Sequence, residues 1–151
     1  MLTSYVCFDL ETTGLSPETD EIIEIGAVKV IEGKVVDRFS RFVKPDAPIS
    51  PMVEALTGIS NAMVAEAGPT DRIIYDFLQF CGEFPVIGHN LMFDYRFTWR
   101  YAKKYYMEFD RAGGGYPADC PEGAAGAALK KPGKSVPSLW HCQCIGPQGL
   151  S

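Results

Sequence analysis

Three runs of strand-forming residues, joined by turns, restrict the fold of this chain more than any other feature. Tyr5 to Leu10 reads as a buried strand. Glu21 to Ile31 is rich in Ile and Val, and Lys34 to Val43 alternates like a third strand. Glu32-Gly33 makes a turn between the second and third runs. Three strands connected this way predict an antiparallel meander.

Beyond the meander, Pro45, Pro48 and Pro51 interrupt regular structure, and Met52 to Leu56 reads as a short helix ending at Gly58. From Asp71 to Gly82, the residues Ile73, Ile74, Phe77, Leu78 and Cys81 fall on one helical face, with Thr70 or Asp71 available as its cap. Pro85-Val86-Ile87-Gly88 is a short buried strand. Phe93 to Met107 is a second amphipathic helix, with Phe97, Tyr101 and Tyr105 four residues apart. The predicted order is β-β-β-α-β-α, an α/β arrangement over residues 1–111.

The character changes after Arg111. Residues 112–151 are about half Gly, Ala and Pro, and the pattern there supports nothing beyond a helical turn or two over Ala124 to Leu129. No apolar run approaches the roughly 20 residues that cross a bilayer, and the start of the chain lacks the pattern of a secretory signal. Five cysteines, an odd and scattered set, point to a reduced, cytoplasmic protein. The formal net charge of −5 argues against a basic, sequence-reading DNA protein. It does not argue against a nuclease whose metal ions supply the local positive charge.

The string Phe8-Asp9-Leu10-Glu11-Thr12-Thr13-Gly14 carries the chemistry. On a strand, residues i and i+2 share a face, so Asp9 and Glu11 project together while Phe8 and Leu10 turn to the core. Neighbouring carboxylates repel one another, and a hard divalent cation with a preference for oxygen ligands removes that cost. A lone acid-x-acid pair is more often a solvated strand end. A second stretch, Gly88-His89-Asn90-Leu91-Met92-Phe93-Asp94-Tyr95-Arg96-Phe97, places Asn90 as a helix cap and Asp94 in the first turn. Taken alone, Asp94 is an ordinary first-turn acid, Phe93 a core residue and His89 a structural histidine.

Together, FDLETTG and GHNLMFDYRF resemble the first two motifs of the DEDD (DnaQ-like) 3′→5′ exonuclease family, which includes the proofreading subunit of bacterial DNA polymerase III. Ile22-Ile23-Glu24-Ile25-Gly26-Ala27 and Leu56-Thr57-Gly58-Ile59-Ser60 are similar to the family's second strand and its TGI segment, so the resemblance covers residues 4–111. It implies a ribonuclease H-like fold, a mixed sheet with three antiparallel strands first and helices flanking it. It also implies that Asp9, Glu11 and Asp94 hold two Mg²⁺ or Mn²⁺ ions, and that Thr12, Thr13, Gly14, Leu15 and Phe93 hold the terminal nucleotide. The substrate would be a single-stranded or 3′-terminal nucleic acid, with a DNA polymerase subunit as partner and no membrane.

The family's third motif, a His followed five residues later by a fourth metal-binding Asp, is missing. His141 is the only later histidine, and no Asp or Glu follows Glu122. His141-Cys142-Gln143-Cys144 is too small a cluster for zinc. Read from the second base of the Gly115 codon, synonymous codons for Gly115 to Val136 can spell a segment close to the family's. The expectation is therefore a reading frame that slipped near Gly113 to Gly115, leaving a C-terminally incomplete fold. A genuine Gly/Ala/Pro-rich linker is the alternative. Three functions follow: a DNA exonuclease of proofreading type with impaired activity, a catalytically silent nucleic-acid-binding or polymerase-associated module, or an RNA exonuclease of the same family.

Overall fold

The structure, a computed structural model, describes residues 2–109 together with the backbone of 128–130 and 141–143. Strands β1 (Tyr5–Thr12), β2 (Ile22–Ile31) and β3 (Lys34–Phe42) form the meander, followed by α1 (Pro51–Thr57), α2 (Asn61–Ala65), α3 (Thr70–Cys81), β4 (Val86–Ile87) and α4 (Leu91–Lys104). The sheet order is β3-β2-β1-β4. The first three strands are antiparallel, and β4 lies parallel to β1 through Val6–Val86 and Cys7–Ile87. This is the mixed sheet with flanking helices that the resemblance to the exonuclease family implied.

Turn chemistry sets the β2–β3 register. Glu32 and Gly33 both take positive φ, 50° and 76°, and Ile31 pairs with Lys34. A two-residue loop of this kind matches the right-handed twist of the strands. Glycine adopts the second position without strain.

One face of the sheet carries Val6, Phe8 and Leu10 from β1 and Ile25 and Ala27 from β2. They pack with Ile73, Ile74 and Phe77 of α3 and Phe97 and Tyr101 of α4. Phe77 is fully buried, with its ring centroid 5.2 Å from that of Phe8 and 5.6 Å from that of Phe39. The opposite face of β1 and β2 carries Tyr5, Cys7, Val28 and Val30, clustered with Ile87. Asp9 and Glu11 continue that second face.

Several local expectations need correction. Helix α2 went unpredicted because its five residues are too few to show a period; Ser60 caps it by accepting from the Met63 N–H at 3.3 Å. Neither Thr70 nor Asp71 caps α3. Pro69 occupies that position and no side chain supplies a cap bond. Asn90 precedes α4 as expected, but in a left-handed conformation (φ 55°), and its side chain makes no cap bond. Helix α4 also begins two residues earlier and ends three earlier than the Phe93–Met107 pattern, with Tyr105 at its C-cap.

In the C-terminal part, β5 (Ala128–Lys130) pairs antiparallel with β6 (His141–Gln143). Ala128 and Leu129 are therefore extended where the pattern allowed a helical turn, and 124–127 lie outside the described residues. Residues 113–115, the site of the expected frame slip, also lie outside them. Among the described residues, no helix is long and apolar enough to cross a membrane.

Candidate active site

The site is built where β4 stops short of the end of β1. The even-numbered N–H groups of β1 point toward the β4 edge, since Val6 N–H donates to Pro85 O at 2.8 Å. Strand β4 ends at Ile87, so it leaves the Leu10 N–H without a strand partner on that side. Asp94 from the first turn of α4 fills the position: its Oδ1 accepts from Leu10 N–H at 3.2 Å. A side chain 84 residues away thus completes the ladder between Asp9 and Glu11.

This bond brings the three predicted acids together. Asp94 is 2% exposed, and its carboxyl is pushed up to about 8. Burial is the largest cause and the field of Asp9 the next; Glu11 adds to the rise, while the Leu10 N–H works against it. Asp9 and Glu11 are half-buried on β1. Among the described residues, no three His, Cys, Asp or Glu side chains form a ready-made ion cage. The donor set is nevertheless all oxygen and mutually repulsive, with Asp94 buried and Asp9 and Glu11 half-buried. That suits a small hard cation, which commonly takes one or two carboxylates and completes its shell with water and substrate phosphate.

The placement of Asp94 depends on a close approach at the β4–α4 corner. A Cβ on Gly88 would lie 2.7 Å from the Phe8 carbonyl oxygen. Only glycine lets the chain leave β4 this close to β1 and enter α4 with Asp94 aimed at Leu10.

The loop after β1 forms the other wall. Thr13 closes its base, donating its N–H to Glu21 O at 2.8 Å and accepting from Glu21 N–H through its hydroxyl at 2.9 Å. The Thr12 hydroxyl donates to Gly14 O at 2.7 Å. A Cβ on Gly14 would collide with the Asp20 carboxylate, whose Oδ2 accepts from Ser16 N–H at 2.9 Å. Leu15 stands out from this loop, 85% exposed. Phe93 is half-buried, packed on Phe97 at 4.9 Å between ring centroids. His89 is exposed and forms no part of the core.

Sequence reasoning missed four residues here. Arg100 donates to Asp20 O at 2.8 Å, and the buried Tyr101 hydroxyl accepts from Ile22 N–H at 3.2 Å, so α4 braces both ends of the Asp20–Ile22 segment. Burial pushes the Tyr101 phenol up to about 12. Glu18, held below the usual carboxylate range first by the Ser16 hydroxyl, is also lowered by Arg96 and Arg100 of α4. Glu24 is 2% exposed and sits directly across from Glu11 in the ladder, on the same side of the sheet. An acid inside the apolar run Ile22 to Ala27 was the available signal; the contacts of Arg100 and Tyr101 left none.

Residues 6–112 match the family model RNase T, described as exonuclease. The chain belongs to that exonuclease family. This exonuclease segment is similar to part of the PolC-type DNA polymerase III of Caldanaerobacter subterraneus subsp. tengcongensis, 47% identical over 100 residues, covering 66% of this chain and 7% of the polymerase. The PolC-type enzyme of Bacillus subtilis is 40% identical over 109 residues, covering 72% and 8% respectively. The matched segment is thus less than a tenth of the length of either polymerase. Among solved structures, exonuclease I from Methylocaldum szegediense aligns with a TM-score of 0.60 at 25% identity, over 68% of this chain and 24% of that one. E. coli exonuclease I in complex with a dT13 oligonucleotide aligns with a TM-score of 0.62 at 18% identity, over 70% and 25%, which speaks for the fold.

Proposed function

We propose that this exonuclease domain removes nucleotides from the 3′ end of DNA with the help of two divalent ions, Mg²⁺ or Mn²⁺, held by Asp9, Glu11 and Asp94. The observation that carries this reading is the Asp94–Leu10 bond, which sets a buried carboxyl into the field of Asp9 and Glu11. When bound, such ions polarise the scissile phosphodiester and lower the pKa of the attacking water. The chain's own residues supply placement. Asp94 is fixed by Leu10 N–H, and Asp9 and Glu11 by their strand. The Thr12-Thr13-Gly14 backbone, Leu15 and Phe93 hold the terminal nucleotide, with Leu15 exposed to lie against a base. Apolar and backbone contacts of this sort do not read sequence, as an exonuclease requires. The similarity to PolC-type polymerases supports a DNA polymerase as working partner.

The second reading is a catalytically silent binding module, favoured by one observation: no residue after Arg111 supplies a His followed five positions later by an Asp. A general base is worth about 10²–10⁴-fold, so we infer slow hydrolysis by residues 1–151 on their own. The frame slip near Gly113 to Gly115 remains our explanation for that loss, and sequencing the gene there tests it. Release of labelled mononucleotide from 3′-end-labelled DNA and RNA in Mg²⁺ or Mn²⁺ tests the function. Slow, metal-dependent release from DNA that stops in Asp9→Ala supports the enzyme. Binding of 3′ ends with no release supports the silent module, and preference for the RNA strand would replace DNA as the substrate.

A further inference from the structure

Helix α4 turns Asp94, Phe97, Thr98, Tyr101 and Ala102 inward. At 3.6 residues per turn, Met92, Arg96, Trp99 and Lys103 fall within about 60° of one another on the opposite side. All four are exposed; Trp99 is 46% and Met92 38% accessible, and the Lys103 ammonium lies 5.5 Å from the Trp99 ring centroid. Acids outnumber Lys and Arg in the chain, 19 to 14, yet α4 carries Arg96, Arg100, Lys103 and Lys104 against one acid, Asp94, which is buried. Nearby carboxylates draw on the flanks of this face: Glu18 feels Arg96 and Arg100, and Asp46 meets Lys104 at 4.0 Å.

We propose that this outward face of α4 is a track for single-stranded nucleic acid leading to the carboxylate site, a step that rests on the exonuclease reading above. An exposed tryptophan flanked by cations at helical spacing provides a stacking surface for unpaired bases and charge for phosphates. The face begins at Met92, on the same first turn of α4 that carries Asp94, with the acid directed inward and the track outward. From Met92 to Lys103 it runs about 16 Å at 1.5 Å per residue, room for roughly four or five stacked nucleotides at 3.4 Å each. A single strand, not a duplex, is the fitting occupant because stacking on Trp99 needs an unpaired base face.

The test uses the full chain in EDTA, so that binding is measured without hydrolysis. A labelled oligo-dT about twelve nucleotides long and one about three long serve as probes, read by fluorescence anisotropy across a salt series. The longer strand should bind more tightly and quench Trp99 emission, with Trp140→Phe removing the other tryptophan. Trp99→Ala should weaken the longer strand by about 5- to 100-fold, and Trp99→Phe should restore most of the affinity. Arg96→Ala with Lys103→Ala should lower the slope of log K against log salt by about 1.4, at about 0.7 per phosphate. Equal binding by the wild type and these variants overturns the proposal, as does equal affinity for the short and long strands. A protein that docks on Trp99 while oligo-dT binding stays unchanged also overturns it. Nucleotide release unaffected by these variants removes the track and leaves the exonuclease reading standing; strand binding that depends on them without release does the reverse.

Discussion

Replacing Asp94 by Asn should reverse the usual sense of a lost acid: the metal-free protein should become more stable near pH 8. In the folded chain the Asp94 carboxyl is pushed up to about 8, from an ordinary carboxyl value of 3.8. Below the unfolded value both states hold the proton, and the native state bears no penalty. As pH rises, the unfolded chain ionises first while the folded chain keeps its proton, so stability falls across this window and levels off above the folded value. About four pH decades at about 1.4 kcal/mol each set a ceiling of roughly 5–6 kcal/mol. Movement of the half-buried Asp9 and Glu11 away from Asp94 brings the expected loss to about 2–4 kcal/mol. Asn keeps an oxygen to accept the Leu10 N–H but cannot ionise. Urea unfolding in EDTA from about pH 4 to about pH 8 should show a declining wild-type stability and a flatter Asp94→Asn profile. Adding Mn²⁺ should then favour the wild type, because an ion displaces the proton and binds the folded state. Parallel pH profiles for the two proteins would mean that Asp94 is not the group held protonated by burial and its neighbours.

Gly88→Ala should destabilise the chain by about 1–3 kcal/mol in urea, because its Cβ meets the Phe8 carbonyl, a backbone atom that cannot rotate away. Tyr101→Phe should cost about 1–3 kcal/mol by thermal or urea unfolding, since it strips the acceptor from the buried Ile22 N–H. Phe77→Ala should cost about 3–5 kcal/mol, as it empties the space between Phe8 and Phe39.

Much of the architecture was legible because it is local. Alternation in Lys34 to Val43, the Glu32-Gly33 turn and the helical face from Ile73 to Cys81 are each set within a few residues, and β3 and α3 stand within about one residue of their expected bounds. The second and third strands needed no family knowledge. The parallel place of β4 and the meeting of Asp94 with β1 did, because a two-residue strand and a first-turn acid have no signature of their own. What stayed hidden is long-range. Tyr101 reads as a core aromatic, and nothing nearby shows that its hydroxyl serves Ile22, 79 residues away. Arg100 reads as a surface cation, yet it holds Asp20 O from 80 residues off. Asn90 misled in the other direction: its residue type favours a capping bond, but the tight exit past Gly88 puts it in a left-handed turn instead.

Whether Asp9, Glu11 and Asp94 form a single metal-binding unit is decided by titrating the chain with Mn²⁺ and following bound and free ion by electron paramagnetic resonance. Binding should weaken at least about tenfold in each of Asp9→Ala, Glu11→Ala and Asp94→Ala, as loss of one ligand from a shared site requires. Unchanged Mn²⁺ affinity in all three variants would contradict a shared site.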